Sequence, residues 1–351
     1  MATIWYGLLG LFFAAYLVLG GYDYGSGLLL ARARDSADRR AVLTAVGPFF
    51  LGNEVWLVAA VGILFGAFPM LEGELLSGLY PAVALALAGV LVVTAAVQLR
   101  SRSLSWAVVV ASRARDATTT AGKQVHDRAA WDRAIIGGSA LAALGWGAVL
   151  GGLLQGVPLH ADGHVEGVGH IVTPFAAACA VTLLTLVAVH GAAFLALRLP
   201  GVGHARIGRR LVPWALAAIA ATTAVGLLSS RVRDAVQRPA AAVPLLCLLV
   251  AALVVAGGAL ARGRPGVGFA ATSVALAAPI ALVGVATWPY ALVSTVDPAA
   301  SLTVADAAAS GPTLRLLSWL AVPLVPALLS FQVMSWWIFR GRIDGRAPVY
   351  W

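Results

Sequence analysis

Nine apolar runs, each long enough to cross a bilayer, follow one another at about 4–30, 43–69, 77–99, 134–157, 171–197, 209–229, 240–261, 267–291 and 314–339. A helix needs roughly 20 such residues to traverse about 30 Å of hydrocarbon. The runs are continuous and do not alternate in polarity, which argues against a transmembrane β-barrel. With 60% hydrophobic and 11% charged residues and a mean hydropathy of +0.89, the 351-residue chain has more apolar surface than a soluble domain can hide. Globular chains carry about 25% charged residues. The expected fold is therefore all-α: a polytopic membrane protein forming one integral domain over residues 1–351, with approximate halves 1–160 and 161–351.

Charge sets the expected topology. The net charge is +9, yet its placement speaks against nucleic acid as a partner. With the amino terminus outside, 20 of the 24 Lys and Arg fall on the inner side and only Arg231, Arg233, Arg238 and Arg315 on the outer. That asymmetry is the positive-inside rule; the segment 230–238 fits it worst. It predicts a multi-pass membrane protein with the carboxyl terminus in the cytoplasm. The first run is not expected to be a cleaved signal, since it lacks a basic leader, is too long and contains Asp23. Residues 100–133 read as a flexible cytoplasmic loop, and 160–170 and 294–313 as polar outer loops.

Few side chains within the runs could carry chemistry. Glu54, next to Asn53 and two residues before Trp56, sits mid-run, where a carboxylate costs roughly 2.5–3.5 kcal/mol on insertion scales. Such a group faces a bundle interior, a partner or a proton path. Asp23 lies in a glycine-rich patch, Gly20 to Gly27, that permits close helix approach; it either pairs with Arg32 or Arg34 or belongs to a subunit contact or proton route. Of six His, only His190 lies well inside a run; a hydrogen-bonded packing role is the default, with ligand or proton carrier as alternatives. His126 and His204 fall in inner loops. His160, His164 and His170 match no strong metal-ligand spacing. Gln155 reads as structural, Trp336 and Trp337 as an interfacial aromatic belt, and Cys179 and Cys247 as packing residues. No P-loop, CxxC, HExxH or GxSxG occurs, so an autonomous ATPase or hydrolase is not expected.

Several segments, in order, resemble subunit II of cytochrome bd, the bacterial quinol oxidase: Gly21-Tyr22-Asp23-Tyr24-Gly25-Ser26-Gly27, Arg39-Arg40, Gly52-Asn53-Glu54-Val55-Trp56, Leu154-Gln155-Gly156-Val157-Pro158, His190-Gly191-Ala192, Trp288-Pro289 and Phe339-Arg340-Gly341-Arg342. The resemblance implies two four-helix bundles plus one extra helix. It implies a heterodimer with subunit I, which holds haem b, haem d and the quinol site, and in some members a small single-span subunit. The complex oxidises quinol and reduces oxygen to water. Subunit II ligates no haem and no metal and has no activity of its own. It scaffolds subunit I and, in some members, lines a proton path or holds a structural quinone. Asp23, Asn53, Glu54, Trp56 and His190 become the candidates for that path or for the subunit interface.

The chain departs from the family at three acids. The positions are Gly20, Leu51 and Gln98, all neutral here. Leu cannot carry a proton, and an amide does not titrate near neutrality. A reduced role in proton delivery is the expectation. A stand-alone proton-coupled transporter, suggested by Pro69 and Pro289 near outer span ends of the two halves, or a non-oxidase paralogue, is the alternative.

Overall fold

The computed structural model describes residues 1–111, 117–163, 165, 167, 169–201 and 203–343, with side chains described outside 101–127. In chain order the helices are α1 (Ala2–Leu29), α2 (Ser36–Ala67), α3 (Pro69–Gly78), α4 (Tyr80–Ala111), α5 (Ala117–Gln155), α6 (Pro174–Arg198), α7 (Gly203–Leu228), α8 (Ser230–Ala235), α9 (Pro239–Ala261), α10 (Pro265–Ala286), α11 (Val304–Ala307) and α12 (Gly311–Ile338). Apart from the short α3, α8 and α11, all are long and apolar enough to cross a membrane, nine among the described residues. The helix boundaries follow local chemistry. Asp35 caps α2 by accepting from the Ala37 and Asp38 amides at 2.8 and 2.9 Å. Thr173 caps α6, and Pro174, Pro239 and Pro265 start their helices at positions where a missing N–H costs nothing.

The segment read as a loop over 100–133 is largely helical. α4 continues to Ala111 and α5 begins at Ala117, because no Gly or Pro interrupts 100–111 or 122–133 apart from Gly122 near the start of α5. A helix satisfies its own backbone and can run past the bilayer edge with charged side chains outward. Residues 112–116, and the side chain of His126, lie outside the described residues. His204 stands in the first turn of α7 and not in a loop.

Short connections make successive spans antiparallel. One face therefore gathers the amino terminus, α3, residues 156–163 and 169–173, α8 and residues 287–310; the other gathers 30–35, 199–201, 262–264 and 339–343. The polar loops of the first face are an ordered cap. Strands β1 (Tyr290–Leu292) and β2 (Leu302–Thr303) pair antiparallel, with Tyr290 opposite Thr303. The Val157 amide donates to the Val293 carbonyl at 3.0 Å, the Thr295 amide donates to the Val157 carbonyl at 2.9 Å, and Ser294 Oγ donates to the Leu159 carbonyl at 2.6 Å. Gln155 knits this cap as expected, donating to the His170 carbonyl (3.1 Å) and accepting from Thr173 (2.7 Å). His170 itself bonds the Gly78 carbonyl at 2.7 Å, and His164 lies outside the described residues.

α1 and α6 form the centre. α1 packs on α2, α5, α6 and α10, while α6 also meets α5, α7 and α10. Their crossing depends on glycine: a Cβ on Gly25 would lie 2.7 Å from the Gly191 Cα, so the two backbones touch. α12 is the outlier. It leans on α2 and buries only Leu314 and Gln332, leaving Trp319, Leu324 and Phe331 exposed.

Candidate functional site

Asn53 has no exposed surface and sits where α1, α2 and α12 meet. Its amide nitrogen donates to Asp23 Oδ2 at 2.8 Å, to the Tyr22 hydroxyl at 2.7 Å and to the Leu19 carbonyl at 3.2 Å. Its oxygen lies 3.5 Å from Gln332 Nε2 on α12, and Gln332 Oε1 accepts from the Trp56 indole at 3.1 Å. Asp23, Asn53, Gln332 and Trp56 thus form one polar seam across three spans. The seam explains why α12 stays attached despite its small apolar contact. Asp23 is buried, with Oδ1 left without a partner, and it does not pair with Arg32 or Arg34, which are exposed at the end of α1. Helix rotation decides this: residue 23 points inward toward α2, whereas 32 and 34 lie beyond the packed core.

Glu54 faces the other way. One residue on from Asn53, it turns about 100° around α2 and bonds the Thr94 hydroxyl of α4, half-buried. Leu51, one turn away on the same side, is 56% exposed, and Val55 and Val58 extend that exposed stripe. Gln98 lies one turn from Thr94 on α4. Because α2 and α4 run antiparallel, the neutral positions Leu51 and Gln98 both lie about one turn from the Glu54–Thr94 pair toward the face that holds residues 30–35. At the third neutral position, Gly20, a Cβ would meet the Tyr16 ring at 3.1 Å, next to the Tyr16–Tyr24 hydroxyl pair at 2.7 Å.

His190 has both ring nitrogens occupied within the chain. Nδ1 bonds the Thr272 hydroxyl (2.7 Å) and Nε2 the Val18 carbonyl (2.9 Å), and the ring stacks on Phe269 at 4.8 Å. No face is open for an iron, so these residues do not fit a haem in this chain. Among the described residues no group of three His, Cys, Asp or Glu could hold a metal ion. Trp336 is not part of an interfacial belt. It stacks on Phe49 at 4.9 Å within a cluster of Tyr22, Phe194 and Phe269, while Trp337 is exposed. Cys247 is exposed and does not pack; Cys179 is half-buried, and both are free.

Four partners had no sequence signal strong enough to single them out. Tyr22 and Thr94 look like ordinary span residues. Gln332 is a lone amide in an apolar run, and that alone could have marked it. Asp132 looked solvated, yet it is buried and takes Arg100 Nε at 2.7 Å and Arg39 Nη1 at 3.4 Å, locking α2, α4 and α5 together. At the same face Arg198 donates to the Phe339 and Gly341 carbonyls and lies 5.4 Å above the Phe49 ring, which accounts for the ordered Phe339-Arg340-Gly341 turn.

A largely helical chain with nine candidate spans, a buried amide–acid seam and no metal-ligand cluster among its described residues defines the class: a polytopic membrane protein. The chain belongs to the family described as cytochrome bd terminal oxidase subunit II, which it matches over residues 1–112 and 117–339. It is 26% identical over 351 residues to cytochrome bd ubiquinol oxidase subunit 2 of Bacillus subtilis, covering 99% of this chain and 98% of that protein. To cytochrome bd-I ubiquinol oxidase subunit 2 of Escherichia coli K12 it is 27% identical over 385 residues, covering 97% and 94%. Its fold matches a chain of the solved bd oxidase from Geobacillus thermodenitrificans with a TM-score of 0.55 at 12% identity, covering 95% of this chain and 98% of that one. These matches favour an oxidase subunit over a stand-alone carrier.

Proposed function

We propose that this chain is the haem-free subunit of a bd-type quinol:oxygen oxidoreductase of the respiratory chain, scaffolding a haem-bearing subunit I. The supporting observation is Glu54. It is a carboxylate at membrane depth, half-buried, beside the exposed stripe Leu51, Val55 and Val58. Leaving such a group against lipid is costly; a partner subunit laid over the α2–α4 groove removes that cost. Quinol and oxygen are then substrates of the complex, with haem b and haem d in the partner. The helices group into two four-helix bundles, α1, α2, α4 and α5 against α6, α7, α9 and α10, with α12 extra. The amino terminus is outside, in keeping with the arginine distribution.

Within this reading, proton delivery through the α2–α4 groove is reduced. Glu54 can exchange a proton, but Leu51 and Gln98, both one turn from it toward the inner face, cannot. Asp23, Asn53, Trp56 and His190 act mainly as structural ties. Affinity purification of this chain from its native membrane should bring down a haem-bearing partner with a haem d absorption band; a colourless chain purified alone overturns the assignment. In the assembled oxidase, Leu51→Asp combined with Gln98→Glu should raise turnover with quinol in excess. Unchanged turnover refutes the proton-delivery part only.

A further inference from the structure

Of the four arginines assigned to the outer side, Arg233 lines a cavity, and Arg231 and Arg238 lie within five residues of it in the chain. Between α5, α6, α7, α9 and α10 lies an apolar space of about 490 Å³, within the roughly 300–1,000 Å³ range of ligand sites. Its walls on α6 run from Phe175 to Leu186, which at 1.5 Å per residue is about 16 Å along the helix axis. That depth is about half of a 30 Å hydrocarbon layer. The cavity therefore reaches from one membrane face to the mid-plane, the extent of one leaflet's acyl chains.

The polar atoms along the walls are already engaged. Thr182 and Thr222 hydroxyls bond each other at 2.8 Å, and Thr223 donates to the Ile219 carbonyl at 2.8 Å. This lining suits hydrocarbon. At the open end lies α8, which buries Val232 and Ala235 toward the helices and turns Arg231 and Arg233 outward. Arg233 lines the cavity and also donates to the Leu227 carbonyl at 2.6 Å. Arg238, 5.9 Å above the Trp288 ring, completes the group. Asp234 offsets one of the three charges, so residues 230–238 carry a net +2.

We propose that this cavity is a binding site for an anionic phospholipid of the leaflet on the amino-terminal face. One acyl chain fills the space between α6, α7, α9 and α10, and the phosphate lies on Arg231, Arg233 and Arg238. Charge complementarity selects the headgroup, since each arginine near an anionic lipid surface adds attraction. The depth of the cavity selects a chain that begins at the interface. The three arginines are retained on this face because they bind lipid, which offsets their topological cost.

The test is lipid retention by the intact complex, measured by native mass spectrometry after exchange through nanodiscs of phosphatidylglycerol or of phosphatidylcholine. The natural sequence should retain phosphatidylglycerol in preference to phosphatidylcholine. Exchanging the exposed arginines together (Arg231→Gln, Arg233→Gln, Arg238→Gln) should cut that retention by at least about tenfold. Ala242→Phe, which fills the cavity with the arginines intact, should lower it as well. Equal retention of both lipids, unchanged retention in the arginine variant, or a quinone as the sole retained molecule overturns the proposal. The arginines are on the surface, so their variant folds even where Ala242→Phe does not.

Discussion

Replacing Asn53 by Ala removes three hydrogen bonds of 2.7–3.2 Å and strands Asp23 in the helix core. Hydrogen bonds between membrane helices couple by about 0.6 kcal/mol on average and about 1.7 at most. Asn53 Nδ2 has only two N–H groups to share among its three acceptors, so the expected loss of stability is roughly 1–2 kcal/mol. The Asn53–Asp23 bond should take the larger part, because the acid has no other partner for Oδ2 and none at all for Oδ1. A double-mutant cycle isolates it. Asn53→Ala, Asp23→Ala and the double variant are unfolded in mixed micelles, and helix loss is followed by circular dichroism. If Asn53 acts by satisfying Asp23, the two substitutions together should cost about 1 kcal/mol less than their sum. Additivity within about 0.3 kcal/mol, or a loss for Asn53→Ala below about 0.5 kcal/mol, refutes the seam as a stabilising unit.

Two further outcomes test the fold. Gly25→Ala should destabilise by about 1–3 kcal/mol or more, because its methyl group meets the Gly191 backbone; Gly137→Ala, with nothing within 4 Å, should change stability by less than about 0.5 kcal/mol in the same unfolding assay. The Asp35 carboxyl is held below its ordinary value by the Asp38 and Ala37 amides that it caps. A folded-state value lower than the unfolded one, about 3.9, means that the cap stabilises above that pH and is lost as the pH falls through the folded value. Amide exchange at Ala37 and Asp38 should accelerate in that acid window in the natural sequence, and already at neutral pH in Asp35→Ala. No difference between the two at neutral pH counts against the cap.

Part of the site was legible because a polar residue in an apolar run always stands out. Asp23 and Asn53 were marked in that way, Trp56 by the family motif, and Trp56 joins the other two through Gln332. Glu54 was marked by the same logic, yet its side chain leaves the seam, since neighbouring residues on a helix point about 100° apart. Gln332 and Tyr22 belong to the seam from positions 276 and 31 residues away from their partners, Trp56 and Asn53. Spacing within one helix cannot show such pairings. Asp132 was missed for a related reason: near a span edge, a carboxylate among arginines resembles solvated sequence until α2 and α4 close over it.

Composition and run length by themselves determined the nine candidate spans and the predominantly helical class. Those properties follow from the cost of exposing backbone and charge to hydrocarbon, which each segment meets alone. Only the tertiary structure decided which way Glu54 points, that His190 spends both nitrogens on its neighbours, that β1 and β2 pair beside Val157, and that Arg233 lines an apolar cavity. Each of these depends on how the helices rotate and cross, and the Gly25–Gly191 contact sets that crossing through packing between distant parts of the chain.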